Sequence, residues 1–390
     1  MQGKIMHRIF PLAATAVAAM LASGAVLAQE VVKIGYTGPL SGGAALYGKN
    51  VLSGVQMAVD EINAAGLDVK GKKVKLEVVA LDDKYSPAEA AINARRLVQQ
   101  HKSPAVFVPH SGGIFALQAF NEQEKFLVMA YSSVPRITDA GNKLTIRIPP
   151  AYTGYIEPFV KAQMKRYGKN VALAPADHDY AKAWVQAFVP AWEGAGGKVV
   201  GNNPMSYTKA TDFYSGVSRA ITDKPDVMFV GGPSEPTALV VKQARELGFK
   251  GGFIIMDQAK MDEMAKVTNG LSMLEGSIGV LPLVNDGRPA AQNFNAKYKK
   301  LHDGRDATTE MSLNYTMVYA LAGAMKLAGT TSDAVAIRAK MPDAMKALPK
   351  DVNPNEVEGI DAKGGSVADT VVGWVQNGKI APVRLSELAK

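Results

Sequence analysis

The chain has 390 residues, of which 47% are hydrophobic and 21% are charged, and its formal net charge is +8. This composition is typical of a globular protein with room for two domains, and it excludes a mainly disordered chain. The chain contains no cysteine, which excludes disulfides, thiolate metal sites and cysteine nucleophiles.

The first 28 residues have the pattern of a secretory signal peptide. Lys4 and Arg8 give a positive start, an apolar run follows, and Val26-Leu27-Ala28 precedes the expected cut. We therefore predict that residues 1–28 are a signal peptide and that the mature protein lies in the periplasm. The apolar run is too short for a membrane anchor, and without a cysteine no lipid anchor is expected.

Removal of the signal peptide lowers the net charge from +8 to +6. The remaining basic residues are scattered along the chain, and no aromatic-interleaved basic block indicates nucleic acid. A solvated basic surface is the expected outcome.

The mature chain opens with a strand, a glycine-rich loop and a helix. Val31–Tyr36 alternates apolar residues on one face, and Thr37–Gly48 contains four glycines. Helical spacing of apolar residues follows at Leu52, Val55, Ala58, Val59 and Ile62. This order predicts a βα unit that can hold a small ligand at the carboxyl end of its strand.

Alternating strands and helices continue to a proline pair, Pro149-Pro150. Ser86 as N-cap, Pro87 and Glu89 form a capping box at the start of the second helix. The predicted elements of this half are strand Val74–Leu81, helix to about Gln100, strand Ala105–Pro109, helix to about Lys125, strand Phe126–Tyr131 and strand Thr145–Pro149.

A second alternating series follows the proline pair. Its predicted elements are helix Thr153–Tyr167, strand Val171–Pro175, helix Tyr180–Gly194, strand Lys198–Gly201, helix Thr211–Thr222, strand Asp226–Gly231, helix Thr237–Gly248, strand Gly252–Met256 and strand Ile278–Pro282. Helices Ala290–His302 and Leu313–Ala328 and a hairpin with an Asn-Gly turn at Trp374–Ile380 complete the chain.

These patterns predict an α/β protein of two doubly wound lobes, each with a central parallel sheet, joined by a multi-strand hinge. Residues 29–148 and 281–353 are assigned to lobe I, and residues 149–280 and 354–390 to lobe II. The loops of both series should face one cleft, where open α/β sheets bind ligands.

Motifs for enzyme chemistry are incomplete. Gly43 to Gly48, followed by Lys49 and Asn50, approaches a phosphate-binding loop, but Asn50 lacks the hydroxyl that would bind magnesium. Asp177-His178-Asp179 has no further histidine at ligand spacing, so no metal is expected. Asp82-Asp83 is interpreted as a turn before a capped helix, because adjacent residues point to opposite sides of an extended segment.

Hydroxyl-bearing loops end two neighbouring strands of the first lobe. Ser111, with Gly112-Gly113, follows one strand and precedes a helix, where N–H groups and a hydroxyl can stabilise a carboxylate. Ser132, Ser133 and Val134 follow the next strand and offer further donors. Each loop alone is equally consistent with an N-cap, but their positions at the ends of adjacent strands favour a binding site.

Several segments in order resemble the leucine/isoleucine/valine-binding proteins of ABC transporters, a class of type I periplasmic binding protein. They are IGYTGPLSGGAALYG, GVQMAVDEINAAG, LDDKYSPAEAAINARRLV and VGGPSEPTALVVKQARELGF. The resemblance covers essentially the whole mature chain. It implies a two-lobe Venus-flytrap receptor, without enzyme activity or cofactor, that delivers a small solute to a membrane permease.

The resemblance also implies roles for individual residues. Ser111 would bind the ligand carboxylate, with Ser132, Ser133 and Val134 beside it. Tyr47 would line the side-chain pocket, and Tyr180, Ser234 and Gln258 would complete the site as the lobes close. The family places an acidic residue near Met256-Asp257-Gln258; Gln258 is the match in position and Asp257 is its neighbour.

Two questions about the ligand stay open at this stage. Gln258 can donate a hydrogen bond but cannot form an ion pair, so an amino acid and a carboxylic acid without an amine both fit. An amide or urea on the same fold is a further alternative. The expected partners are this solute and a permease, and we expect a monomer that binds no nucleic acid.

Two other classes of protein are kept as alternatives. An exported hydrolase would need His110 or His178 as the base for a nucleophile. A ligand-sensing receptor ectodomain is disfavoured, because no membrane span follows the lobes in this sequence.

Overall fold

The computed structural model describes residues 1–3 and 29–388. Most of the predicted signal peptide, residues 4–28, lies outside the described residues. The described chain forms two sheets of mostly parallel strands with helices on their faces, so the predicted fold class is confirmed.

The first half of the chain builds most of lobe I. In chain order its elements are β1 Glu30–Gly38, α1 Ala45–Ala65, β2 Leu67–Val69, β3 Lys72–Asp82, α2 Pro87–Gln99, β4 Ala105–Val108, α3 Ser111–Gln118, α4 Asn121–Glu124, β5 Leu127–Ala130, α5 Arg136–Asp139 and β6 Thr145–Arg147.

Lobe II follows and the chain then returns. The next elements are α6 Thr153–Tyr167, β7 Asn170–Pro175, α7 Asp179–Gly194, β8 Lys198–Asn202, α8 Tyr214–Ile221, β9 Val227–Gly231, α9 Ser234–Glu246, β10 Gly252–Ile255, α10 Met261–Val267 and β11 Ser277–Val280. The last are α11 Pro289–Leu301, α12 Thr309–Ala328, α13 Ala334–Lys346, β12 Gly359–Ile360, β13 Ser366–Val367, β14 Val371–Gln376, β15 Lys379–Arg384 and α14 Leu385–Leu388.

The first sheet has the strand order β2-β3-β1-β4-β5-β6, and the second has the order β15-β14-β11-β10-β9-β7-β8. Neighbouring strands are parallel except β2 with β3, β11 with β14, and β14 with β15. Central strands such as β4 and β9 are buried along their whole length, as expected for parallel strands covered by helices on both faces.

Local signals in the sequence account for several element boundaries. Ser86 Oγ accepts a hydrogen bond from the N–H of Glu89, with Pro87 at the first helical position, so the predicted capping box is confirmed at α2. The Asn377-Gly378 pair has φ values of 52° and 70° and joins β14 to β15, as predicted.

The predicted loop Thr37–Gly48 is wrong at its end, because α1 already begins at Ala45. Tyr47 and Gly48 therefore lie in the first turn of a helix. A Cβ at Gly48 would stand 1.8 Å from the carbonyl oxygen of Pro39. This glycine is thus explained by close backbone packing and not by loop conformation.

Other boundaries differ from the predictions as well. The single helix expected up to Lys125 is divided at Ala119-Phe120 into α3 and α4, and α10 and α13 were not predicted. The N-cap of α3 is His110, so Ser111 is the first residue of the helix and not its cap.

We propose that three passages of the chain join the two lobes, two of them after β6 and after β11. Val357 and Ile360 pack in the core around the first sheet, and Arg147 N donates a hydrogen bond to Gly364 O at 2.8 Å. We therefore propose that the third passage lies between Val367 and Val371, later than the predicted 353/354 boundary.

Candidate functional site

A small cavity lies between the carboxyl ends of the two sheets. It is lined by Tyr47, Tyr85, Pro109, His110, Ser111, Tyr131, Ser132, Ser133, Pro149, Tyr180, Asp257 and Gln258. The structure thus brings seven of the nine predicted site residues to one cavity, with Val134 and Ser234 outside it.

The first lobe contributes uncharged hydrogen-bonding groups. Ser111 Oγ and Ser132 Oγ are 2.8 Å apart and both serines are buried. The buried Ser133 Oγ has no hydrogen-bond partner among the described residues. Ser111 also begins α3, and the N–H groups of a first helical turn have no intrahelical acceptors. Donors of this kind suit an anionic group such as a carboxylate.

A buried histidine–aspartate pair holds the start of α3 in place. His110 Nδ1 accepts a hydrogen bond from Gly113 N–H at 3.0 Å, so the proton belongs on Nε2, which lies 2.9 Å from Asp83 Oδ2. Thr37 Oγ1 donates to the same Asp83 oxygen at 3.1 Å. Both ring nitrogens of His110 are therefore engaged in positioning the helix, and neither is placed as a base for Ser111.

The second lobe contributes a carboxylate held by aromatic donors. Tyr180 Oη and Trp184 Nε1 both donate to Asp257 Oδ1, the indole at 3.1 Å. The backbone N–H of Gln258 donates to Tyr180 Oη at 3.1 Å. Burial, and then the charge of Asp257, raise the pKa of Tyr180. Tyr180 therefore stays a neutral donor that fixes the Asp257 side chain.

A second histidine, His178, caps a helix of lobe II as His110 caps α3 of lobe I. His178 is the N-cap of α7, and its Nδ1 accepts from Ala181 N–H at 3.3 Å. Burial, and then the nearby His110, lower the pKa of His178 to about 3, so the ring is neutral. The hydrolase alternative needed one of these histidines as a base. Each caps a helix through Nδ1, and the buried Nε2 of His178 has no hydrogen-bond partner, and so no hydroxyl to activate, among the described residues.

The lobes meet across the cavity at Tyr85. Its ring stacks on His110 with 4.7 Å between centroids and lies 5.2 Å from the ring of His178. Gln258 Nε2 donates to Tyr85 Oη at 2.8 Å, while Gln258 Oε1 is buried without a partner in the described chain. The amide of Gln258 thus bridges the lobes, and Asp257 supplies the charge in this wall.

Two predicted residues lie behind the site. Val134 is buried in the hydrophobic core of the molecule. Ser234 Oγ donates to Glu263 Oε2 at 2.5 Å and accepts from Lys260 N–H at 3.0 Å, so its hydroxyl is already used.

Sequence reasoning missed Tyr85, Tyr131 and Pro149 as lining residues. Tyr131 and Pro149 follow the ends of β5 and β6, and the rule that ligands bind at the carboxyl ends of strands could have indicated them. Tyr85 has a positive φ of 63° in the turn after β3, a conformation that no local sequence pattern predicts.

A larger space, the hinge-side chamber, adjoins this cavity. Tyr131, Pro149 and Asp257 line both spaces. The rest of the chamber lining is mixed. Aliphatic residues include Val280, Leu281, Leu283, Leu313, Val357 and Val371, and charged residues are Lys260, Asp286, Arg288 and Asp369. A molecule held at Asp257 would therefore lie beside the entrance to this partly aliphatic space.

Two general features of the described chain bear on its class. None of its helices is both long and apolar enough to cross a lipid bilayer. In residues 1–3 and 29–388 no three His, Asp or Glu side chains are grouped so that they could hold a metal ion.

Comparison with known proteins agrees with this architecture. An amino acid binding protein of Pseudomonas aeruginosa is 28% identical over 319 residues, covering 78% of this chain and 81% of the relative. A Leu/Ile/Val-binding protein, BraC3, of Rhizobium johnstonii is 27% identical over 345 residues, covering 87% and 90%.

Solved structures show the same fold. The branched-chain amino acid transporter substrate binding protein LivJ of Streptococcus pneumoniae, in complex with isoleucine, superposes with a TM-score of 0.75 at 24% identity, covering 91% of this chain and all of that one. The leucine binding protein LivK of Thermotoga maritima also gives 0.75 at 24% identity, covering 90% and 97%. Residues 31–370 match the sequence model of the periplasmic binding proteins, and the chain therefore belongs to that family.

Proposed function

We propose that this protein is the solute-binding component of an ABC importer and that its solute is an α-amino acid. The observation that carries the proposal is the pairing of neutral donors in lobe I with the Asp257 carboxylate in lobe II around one cavity. The amino acid binding and Leu/Ile/Val-binding relatives support it.

The carboxylate of the solute is assigned to lobe I. Ser133 Oγ has no protein partner in the described residues, and the Ser111–Ser132 hydroxyl pair can turn one hydrogen toward a ligand. The start of α3 adds backbone donors and the positive end of a helix dipole. A hydrogen bond to a charged group contributes about 1.5–3 kcal/mol, so two or three of them fix this end of the ligand.

The ammonium group is assigned to Asp257. Tyr180 and Trp184 both donate to Oδ1, which leaves Oδ2 to accept from a ligand. Because the donors hold this carboxylate rigidly, little side-chain entropy is lost when an ammonium group binds. The charge that Gln258 could not supply thus comes from the residue before it.

The side chain of the solute is assigned to the hinge-side chamber. Asp257 and Tyr131 stand at the boundary between the two spaces. The aliphatic residues of this lining favour an apolar side chain, at about 25 cal/mol for each Å² removed from water. Two of its charged residues, Asp286 and Arg288, form an ion pair with each other. We therefore expect leucine-sized or aromatic amino acids to bind more tightly than alanine.

Delivery follows from closure of the lobes on the solute. Carboxylate and ammonium are held by different lobes, so a zwitterion contacts all its partners only when the lobes are together. Binding shifts the population toward the closed form by the difference in affinity between the two forms. The closed pair of lobes is the form that we expect the permease to recognise.

A thermal-shift screen of the purified protein tests this function. The panel contains L-amino acids of increasing size, the matching carboxylic acids without the amine, and the matching amines without the carboxylate. At a hundredfold excess over Kd a ligand stabilises the folded state by about 2.7 kcal/mol. We expect only the intact amino acids to give large shifts, growing with apolar side-chain size. Equal shifts from the carboxylic acids without an amine, or shifts from amides or urea alone, would contradict the assignment of Asp257.

A further inference from the structure

A buried cluster of charged side chains spans the interface between the lobes, behind the wall of the cavity. Asn50 and Glu310 come from α1 and α12 of lobe I. Lys260 and Glu263, just before and within α10, come from lobe II. All four are at most 6% exposed. Lys260 also lines the hinge-side chamber, whereas Asn50, Glu263 and Glu310 line neither that chamber nor the cavity.

One amide links the two carboxylates. Asn50 Nδ2 donates to Glu263 Oε1 at 2.6 Å and to Glu310 Oε1 at 3.0 Å. Two carboxylate oxygens that share one donor nitrogen must lie close together, although they belong to different lobes. Ser234 Oγ completes the contacts of Glu263 at 2.5 Å. Two ionised carboxylates this close and this far from water strongly disfavour each other's charge.

The surrounding charges do not balance this pair. Lys260 Nζ is 3.7 Å from Glu310 Oε2 and also donates to the carbonyls of Asp257 and Gln258 at 2.7 and 3.0 Å. Asp262 adds a third carboxylate, whose pKa is raised to about 6 by burial and then by Glu310, against a smaller lowering effect of Lys266. Lys260 is thus the ammonium group near both Glu263 and Glu310, and Lys266 acts on Asp262.

Separation of the lobes would take this cluster apart. Glu263, Lys260 and Ser234 would leave with lobe II, while Asn50 and Glu310 would stay with lobe I. Each carboxylate would then meet water and lose its close like-charged neighbour. The carboxylates therefore bind a proton more tightly in the closed form than in the open form.

We propose that closure of the lobes takes up one proton at the Glu263–Glu310 pair, so that capture of the solute is coupled to proton binding. Burial, and then the charge of Glu310, raise the pKa of Glu263 well above the ordinary glutamate value of 4.5 in the closed form. Proton uptake therefore increases the affinity for the solute. This gain is complete at pH values below the ordinary pKa of glutamate, and it is lost as the pH rises through the raised pKa of the closed form. In that window the Kd rises by up to about tenfold for each pH unit.

His178 would release a proton on closure, which is opposite to the uptake proposed at the glutamate pair. The two effects can be separated by the choice of pH. Closure buries His178 in its neutral form and lowers its pKa to about 3 from an ordinary 6.5. Below pH 6.5 closure would therefore release a proton from this ring. At about one pH unit above the ordinary histidine pKa, only about a tenth of a proton would be released from this ring, so the measured change is dominated by uptake at the carboxylates.

Isothermal titration calorimetry in buffers of different ionisation enthalpy counts the protons. The probe is the L-amino acid that gives the largest thermal shift, titrated at about pH 7.5 into the wild-type protein and Glu263→Gln. We expect the wild type to take up between half a proton and one proton per bound ligand. Glu263→Gln keeps the hydrogen-bonding shape without the charge, so its uptake should fall to near zero and its Kd should vary less with pH.

A matched control is Glu157→Gln, on the exposed surface of α6 in the same lobe, which should leave the uptake unchanged. No proton uptake by the wild type would overturn the proposal. Full uptake retained by Glu263→Gln would overturn the assignment to this pair.

A second measurement needs no ligand and so separates this inference from the proposed amino-acid function. The chain has no cysteine, so Ile92→Cys in lobe I and Glu193→Cys in lobe II can carry a fluorescent pair. In the ligand-free protein we expect the distance between the labels to shorten as the pH falls from about 8 to about 6.5. The same change should be absent in Glu263→Gln. A distance that does not respond to pH in either protein would contradict the coupling even if an amino acid binds.

Discussion

The two lobes build the walls of the cleft in the same way but give them different chemistry. Each presents a helix that begins under a histidine N-cap, α3 under His110 and α7 under His178. On lobe I the polar groups that follow are uncharged serines. On lobe II they surround a carboxylate, Asp257, which Tyr180 and Trp184 hold.

The difference shows how one cleft can orient a small zwitterion. A site with charge on only one wall gives the ligand a single preferred direction. Neutral donors at a helix start favour the anionic end, and a carboxylate favours the cationic end. The lobes are therefore not interchangeable halves, and variants of each wall should fail in different ways.

The largest effect is expected from Asp257→Asn in lobe II. Loss of the charged partner of a buried ammonium costs about 2–5 kcal/mol, so the Kd for an amino acid should rise by about thirtyfold or more. The Kd for the matching carboxylic acid without an amine should stay the same or fall. Calorimetry with both ligands measures the two changes.

Asp223→Asn is the matched control, because Asp223 is exposed in the same lobe and should alter neither affinity. If Asp257→Asn weakened both ligands equally, Asp257 would be a structural residue and not the partner of an ammonium group.

A smaller effect is expected from Ser111→Ala in lobe I. Loss of one hydrogen bond to a carboxylate costs about 1.5–3 kcal/mol, which is a tenfold to hundredfold rise in Kd. This change should weaken amino acids and amine-free carboxylic acids alike, in contrast to Asp257→Asn. Ser103→Ala, a buried serine before the opposite end of β4, is the control. Unchanged affinity in Ser111→Ala would remove this residue from the site.

The smallest effect on affinity is expected from Tyr85→Phe, at the contact between the two lobes. Tyr85→Phe removes the hydrogen bond to Gln258 but keeps the ring against His110. A net cost of about 0.5–1.5 kcal/mol should weaken every ligand by about threefold to tenfold. In combination with Gln258→Ala the two losses should be less than additive. Strict additivity in calorimetry would show that this bridge does not form in the closed protein.

The sequence predicted the fold well because its signals are local and repeated. Buried apolar runs alternate with amphipathic helices. Local capping and turn motifs, such as Ser86-Pro87 and Asn377-Gly378, set the ends of helices and strands independently of distant residues. The division at Ala119-Phe120 and the early start of α1 were missed. They depend on packing between segments, as the approach of Gly48 to Pro39 illustrates.

The site was predictable where it depends on strand ends and not where it depends on contacts between lobes. Ser111 and Ser132 follow adjacent strands, so their meeting could be anticipated. Nothing in the sequence shows that the Gln258 amide donates to Tyr85, 173 positions away, so that Asp257 is the charged residue of this wall. The sequence also does not show that Asn50, at the end of the incomplete phosphate-loop motif, donates to two glutamates from different lobes.

A crystal structure of the protein with its tightest-binding L-amino acid tests the central claim most directly. The account predicts the ligand carboxylate within hydrogen-bonding distance of Ser111 or Ser133 and its ammonium nitrogen against Asp257, with the side chain toward Leu281 and Leu313. A ligand bound in the reverse direction, or one whose amine makes no contact with Asp257, would contradict it.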